Sequence, residues 1–153
     1  PLRSNSTGIN ANAKWNRNGL TVAGGNGSDS GINQLKCSWD LYVDNDQTIY
    51  VADAANCRIV EWKCDVTSGQ MIAGEYGRVV VDQLGIVYIT DRENHRIMRW
   101  LKGVTQGTVI AGGNRSREQS NQLNCSTGLS FDGLGNLYVV DFNNNRVQTF
   151  NID

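Results

Sequence analysis

Residues 87–100 read VYITDRENHRIMRW, and the same stretch returns as IYVADAANCRIVEW at 49–62 and as LYVVDFNNNRVQTF at 137–150. Three copies in one chain mark a repeat protein. Each copy opens on Ile, Val, Leu and Tyr, residues that suit a pleated, half-buried surface. An Asp follows at a fixed place (Asp53, Asp91, Asp141), then Asn56, Asn94 or Asn144, then Arg58, Arg96 or Arg146. Asp and Asn side chains bond nearby backbone N–H groups and tolerate turns. A second β-rich run ends each copy at Trp62, Trp100 or Phe150. The unit is therefore a hairpin: strand, Asp/Asn turn, strand.

A third strand precedes each hairpin. Asp44, Asp82 and Asp132 stand six residues before Tyr50, Tyr88 and Tyr138, after the β-rich segments 41–43, 79–81 and 129–131. A fourth strand is expected at 70–74 and 108–112, with a matching Leu20-Thr21-Val22-Ala23-Gly24 near the N-terminus. Four antiparallel strands per repeat make a propeller blade. Asp53 to Asp91 is 38 residues and Asp91 to Asp141 is 50, in keeping with blade repeats of roughly 40–50 residues. The difference is one polar loop. It is present at 26–38 and 114–127, containing Asn33-Gln34-Leu35 and Asn121-Gln122-Leu123, and missing from the middle repeat.

The recurring Asp, Asn-x-Arg and upstream Asp-to-Tyr spacing resembles the NHL repeat. The best match is Asn94-His95-Arg96-Ile97; the other copies carry Cys57 or Asn145 in place of His95. The resemblance implies an all-β, NHL-type β-propeller of about three four-stranded antiparallel blades, half of the roughly six that such propellers usually have. It also implies a binding face for protein or RNA, with a metal-dependent lyase or hydrolase as the rarer outcome.

The expected division is a polar segment at 1–14 and a propeller at 15–153, with repeats at roughly 19–63, 69–101 and 107–153. Lys14-Trp15 resembles the end of a strand from an earlier blade. Three blades do not comfortably close a ring. Each bare sheet face would expose on the order of 400 Å² of apolar area, whose burial contributes about 10 kcal/mol. The chain thus reads as part of a larger propeller or as a half-ring that self-associates.

The 153 residues carry 14 basic and 15 acidic side chains, a net charge of -1. No apolar run approaches the roughly 18 residues of a membrane span, and no signal peptide opens the sequence. Of Cys37, Cys57, Cys64 and Cys125, the pair Cys37 and Cys57 falls on one rim and is the expected disulfide. Free thiols are the competing reading. Cys57 and Cys64 lie roughly 20 Å apart along one strand and should not bond. Glycosylation sequons at Asn5, Asn26, Asn114 and Asn124, with the cysteines, favour an extracellular or secreted setting over a cytoplasmic one.

No catalytic constellation emerges, and no cofactor or metal is expected. His95 is the one histidine, whereas a catalytic zinc takes about three protein ligands. The repeated Asp, Asn and Arg read as turn structure, because a catalytic group should break the repeat. Gly24-Gly25-Asn26-Gly27 lacks the helix and the Lys-Ser/Thr pair of a phosphate loop. The basic residues of the middle repeat (Arg78, Arg92, Arg96, Arg99, Lys102) interleave with acidic ones, which disfavours nucleic acid. The rim breaks the repeat, and recognition usually sits on loops over a rigid scaffold. Trp39, Arg92, Glu93, His95 and Phe142 are the candidate contacts for a protein partner. The expectation is a non-enzymatic binding or scaffold module. The alternatives are an RNA-binding module and a fragment of a propeller lyase or hydrolase.

Overall fold

The protein is described by a computed structural model over residues 10–74, 77–113 and 115–152. Among these residues eleven strands form three antiparallel sheets. The first blade is β1 (Asp40–Val43), β2 (Ile49–Asp53), β3 (Arg58–Trp62) and β4 (Gln70–Ala73), hydrogen-bonded in that order. The second is β5 (Val79–Val81), β6 (Val87–Asp91), β7 (Arg96–Trp100) and β8 (Thr108–Gly112). The third has three strands, β9 (Ser126–Phe131), β10 (Leu137–Asp141) and β11 (Arg146–Phe150). The fourth strand thus pairs with the hairpin before it, so the blades run 40–73, 79–112 and 126–150 rather than in the phase read from sequence.

The register is the same in all three hairpins. Asp53 faces Arg58, Asp91 faces Arg96 and Asp141 faces Arg146. Each turn ends on a left-handed residue: Cys57, His95 and Asn145 have φ of 49°, 54° and 52°. The upstream aspartates close the turns between the first and second strands. Asp44 Oδ1 accepts the N–H groups of Asp46 and Thr48, and Asp82 and Asp132 do the same for the residues two and four beyond them. The six-residue spacing to Tyr has a direct cause. Tyr50, Tyr88 and Tyr138 donate their hydroxyls back to Asp44, Asp82 and Asp132. Burial, then the neighbouring Asp82 carboxylate, pushes the Tyr88 phenol up to about 12.

The core lies between blades. Tyr50, Ala52, Ile59 and Ala73 of the first blade pack on Val79, Val81, Val87, Ile89, Met98 and Trp100 of the second. Ile97 and Ala111 of the second pack on Leu137 and Val139 of the third, with Leu123 from its loop. Each blade therefore offers one apolar face backwards and one forwards.

Residues 20–24 do not form the expected strand. No strand lies alongside them to supply ladder bonds among the described residues, and a β-rich pattern without a partner has nothing to pair with. Leu20 and Val22 are exposed, while Ala23 packs with Leu35 against Val51, Val60 and Trp62. Trp15 is likewise exposed and outside any strand. The polar segment 1–14 falls mostly outside the described residues.

Candidate functional site

The Asp-Asn-Arg set is a clasp. In the first blade Asp53 Oδ2 accepts Arg58 Nε–H at 2.7 Å and Asn56 Nδ2–H at 2.8 Å, and Oδ1 accepts the backbone N–H of Lys36 at 2.7 Å. The far end of Arg58 donates to the carbonyls of Ser30, Gly31 and Gln34. Asn56 adds a bond to Asp29 O. The third blade repeats it: Asp141 takes Arg146, Asn144 and the N–H of Asn124, while Arg146 binds Glu118, Gln119 and Gln122 carbonyls. In the second blade Asp91 takes Arg96 at 2.6 Å and Asn94 at 2.9 Å. The polar loops are thus pinned to the blade edge through their backbone.

Burial alone would push the Asp141 carboxyl up. The donors Asn124 N–H, Asn144 and Arg146 outweigh it and hold the group below the usual carboxylate range. These side chains are committed to one another, so the clasp organises the rim and offers little to a ligand.

The rim opens into a cleft of about 260 Å³ where the first strands of the three blades converge. Trp39 and Asp40 come from the first blade, Gly77, Arg78, Thr90 and Arg92 from the second, and Ser126 and Thr127 from the third. Arg78 joins all three. Its N–H donates to Thr90 Oγ1 at 2.8 Å, Nε–H to Thr127 O at 3.1 Å, and Nη1 lies 3.4 Å from Asp40 Oδ1. Asp40 Oδ2 also accepts the Val79 N–H at 3.1 Å, tying the first two blades together. Gly77 has φ of 155°, and a Cβ there would overlap the Thr90 carbonyl, so the wall closes only with glycine. Ser126 Oγ is buried at the cleft without a hydrogen-bond partner.

Of the residues expected from sequence, Trp39 and Arg92 meet in this cleft. Glu93 is exposed on the same turn as Arg92. His95 Nδ1 accepts the N–H of Cys125 at 3.0 Å, a bond from the second blade to the third. Phe142 is exposed on the third blade's turn, outside the cleft. Asp40, Arg78 and Ser126 were not singled out from sequence as contacts. Arg78 stands before β5 at the repeat position that Asp40 holds on β1, so a repeat-breaking signal existed there.

Cys37 and Cys57 are both exposed free thiols here, as is Cys64, and Cys125 is half-buried. The side-chain Nδ2 of Asn26 donates to Asn33 O at 3.1 Å, and Asn124 Oδ1 accepts from Asn143. Asn5 and Asn114 lie outside the described residues. Among the described residues no group of three or more His, Cys, Asp or Glu side chains is placed to hold a metal ion, and no helix is long and apolar enough to cross a membrane. A wider, open hollow of about 580 Å³ lies over Ser116, Arg117, Glu118 and Asn144. Its backbone carbonyls are already taken by Asn144 and Arg146.

The NHL repeat family matches residues 77–99 and 123–150. No curated protein sequence matches the chain. Among solved structures the chain is similar to a catalytically inactive virginiamycin B lyase from Staphylococcus aureus with quinupristin, at TM-score 0.56 and 15% identity over 76% of this chain and 38% of that one. It is also similar to a streptogramin B lyase, at TM-score 0.55 and 11% identity over 73% of this chain and 36% of that one. At these identities the likeness is one of fold. The chain spans well under half the length of either enzyme.

Proposed function

From a chain that carries NHL repeats on a partial β-propeller, we propose a non-enzymatic binding module. Its cleft between the three blades receives an acidic side chain of a protein or peptide partner. The carrying observation is the convergence of Trp39, Arg78, Arg92 and the unpartnered Ser126 Oγ on one cleft. A volume of about 260 Å³ falls below the roughly 300–1,000 Å³ of small-molecule pockets. That size suits one anchoring side chain of a larger partner. Two guanidinium groups against one carboxylate leave the cleft net positive, and arginine forks match carboxylates. A buried hydroxyl without a partner costs about 1–3 kcal/mol, which a bound polar atom would recover. Trp39 is exposed beside it, the kind of aromatic that anchors protein interfaces. The acidic Asp40 and the neighbouring Glu93 make the surface mixed in charge, which favours a single carboxylate over a phosphate backbone.

The test is selection from a displayed random-peptide library against the folded chain, with enriched peptides measured by calorimetry. Enrichment of Asp- or Glu-bearing peptides that weaken about tenfold or more, roughly 1.4 kcal/mol, on Arg92→Ala or Trp39→Ala supports the reading. Enriched peptides indifferent to both substitutions overturn it.

A further inference from the structure

The chain entering the third blade is held from two sides. The N–H of Asn124 donates to Asp141 Oδ1 at 2.6 Å, within its own blade. The N–H of Cys125 donates to His95 Nδ1 at 3.0 Å, and the Thr127 carbonyl accepts Arg78 Nε–H at 3.1 Å, both in the second blade. Ser126 lies between those two ties, fully buried with its hydroxyl unpartnered. Ser126 and Thr127 are the third blade's wall of the cleft, and Arg92, three residues before His95, is part of the second blade's wall. His95 therefore fixes the cleft's far wall to its near one.

That tie depends on charge. A backbone N–H has only a proton to offer, so the ring must meet it with a bare Nδ1 and carry its own proton on Nε2. A protonated imidazole has hydrogens on both nitrogens and accepts nothing. It would set N–H against N–H at Cys125. Imidazole is the side-chain class whose charge ordinarily changes between about pH 5 and 8. His95 is the chain's one histidine, and the same turn position holds Cys57 in the first blade and Asn145 in the third. The charged neighbours on its own turn are Arg92, the exposed Glu93, and Asp91 paired with Arg96. The end of β8 packs on it through Gly112 and Gly113, which have no side chain to titrate, and Arg115 beyond them is exposed. The third blade brings the Cys125 thiol and, behind Asn124, the Asp141 carboxylate.

We infer that His95 is a pH switch on the cleft: the neutral ring holds Cys125 and with it the Ser126–Thr127 wall, and the protonated ring releases them, so that the cleft keeps an acidic partner at neutral pH and lets it go on acidification. The inference rests on the cleft being the binding site proposed above. The asymmetry of the two ties makes the effect local. Asn124 stays on Asp141 and Thr127 stays on Arg78, so the blades remain docked while the segment between them loosens. Ser126 Oγ is the group whose place then varies, and it is the buried hydroxyl offered to the partner.

The experiment compares the chain with His95→Asn at about pH 7.5 and about pH 5.5, where peptide carboxylates with ordinary values near 4 stay ionised. Two quantities are read: the amide-exchange protection of Cys125, corrected for the intrinsic rate, and the affinity for an acidic peptide selected at the higher pH. In the parent chain both should fall about tenfold at the lower pH, the worth of roughly one hydrogen bond. The Asn124 amide, held by Asp141, should keep its protection and serves as the internal reference. His95→Asn keeps an acceptor that does not titrate, so both quantities should stay level. Cys125 protection that does not change with pH in the parent chain overturns the switch, whether or not the variant folds. An affinity that is equal at the two pH values, or that falls equally in His95→Asn, also overturns it and leaves the cleft reading standing. A peptide whose binding at about pH 7.5 ignores both Arg92→Ala and Trp39→Ala overturns the cleft reading, and with it the release, whatever the Cys125 amide does.

Discussion

His95 Nδ1 accepts the backbone N–H of Cys125 at 3.0 Å and so stitches the turn of the second blade to the loop entering the third. The ring works as an acceptor because His95 takes a left-handed backbone with φ of 54°, which turns its side chain across the junction. Asn145 holds the same conformation at the same repeat position, and Asn tolerates it well. His95→Asn should therefore leave stability nearly unchanged. His95→Leu loses the acceptor and places a branched apolar residue at positive φ, at a cost of about 1–3 kcal/mol. Urea midpoints of the two variants check this.

Arg58 is the most enclosed of the three clasp arginines, its side chain 9% exposed against a fully buried Asp53. Arg58→Met leaves that carboxylate buried without its cation and should destabilise by about 3–5 kcal/mol. It also frees the carbonyls of Ser30, Gly31 and Gln34, so limited proteolysis should open the chain within residues 26–36. Arg146, at 29% exposure, should cost less when replaced in the same way.

Asp141 has its carboxyl held below the ordinary range in the folded chain, so the ionised form is favoured by folding. That contribution is complete above the unfolded value of about 4 and is lost as pH falls through the folded value. Thermal stability should drop on acidification below about pH 4. Asp141→Asn should be less stable near neutrality and show a shallower acid decline, which melting curves across pH would register.

Tyr88 carries a phenol raised to about 12 by burial and by the Asp82 carboxylate. Its neutral form is favoured by folding, so stability is complete below about pH 10 and declines between there and about 12. A phenolate absorbance titration should show a late component near 12 that Tyr88→Phe removes.

Much of this fold is legible in the letters because the repeat writes them three times. Asp53, Asn56 and Arg58 recur as Asp91, Asn94 and Arg96, and the hairpin follows from their spacing. Where Arg58 sends its guanidinium is not legible, because Ser30, Gly31 and Gln34 receive it through carbonyls that every residue has. Residues 20–24 read as a strand because their composition matches β8, but a strand exists only beside a partner. In the site, Trp39 and Arg92 stand out as breaks in the repeat. Arg78 also departs from its counterparts Asp40 and Gly128, but its role appears only once three blades surround it. Ser126 carries no signal in sequence at all; its missing partner is a fact of packing.

The cleft between the blades is the proposed binding site. The most direct test is an amide and indole N–H NMR titration of the chain with a selected acidic peptide. The largest shifts should fall on the Trp39 indole, Arg78, Arg92, Ser126 and Thr127. Shifts confined to residues 116–119 and Asn144, with Ser126 unmoved, would contradict it.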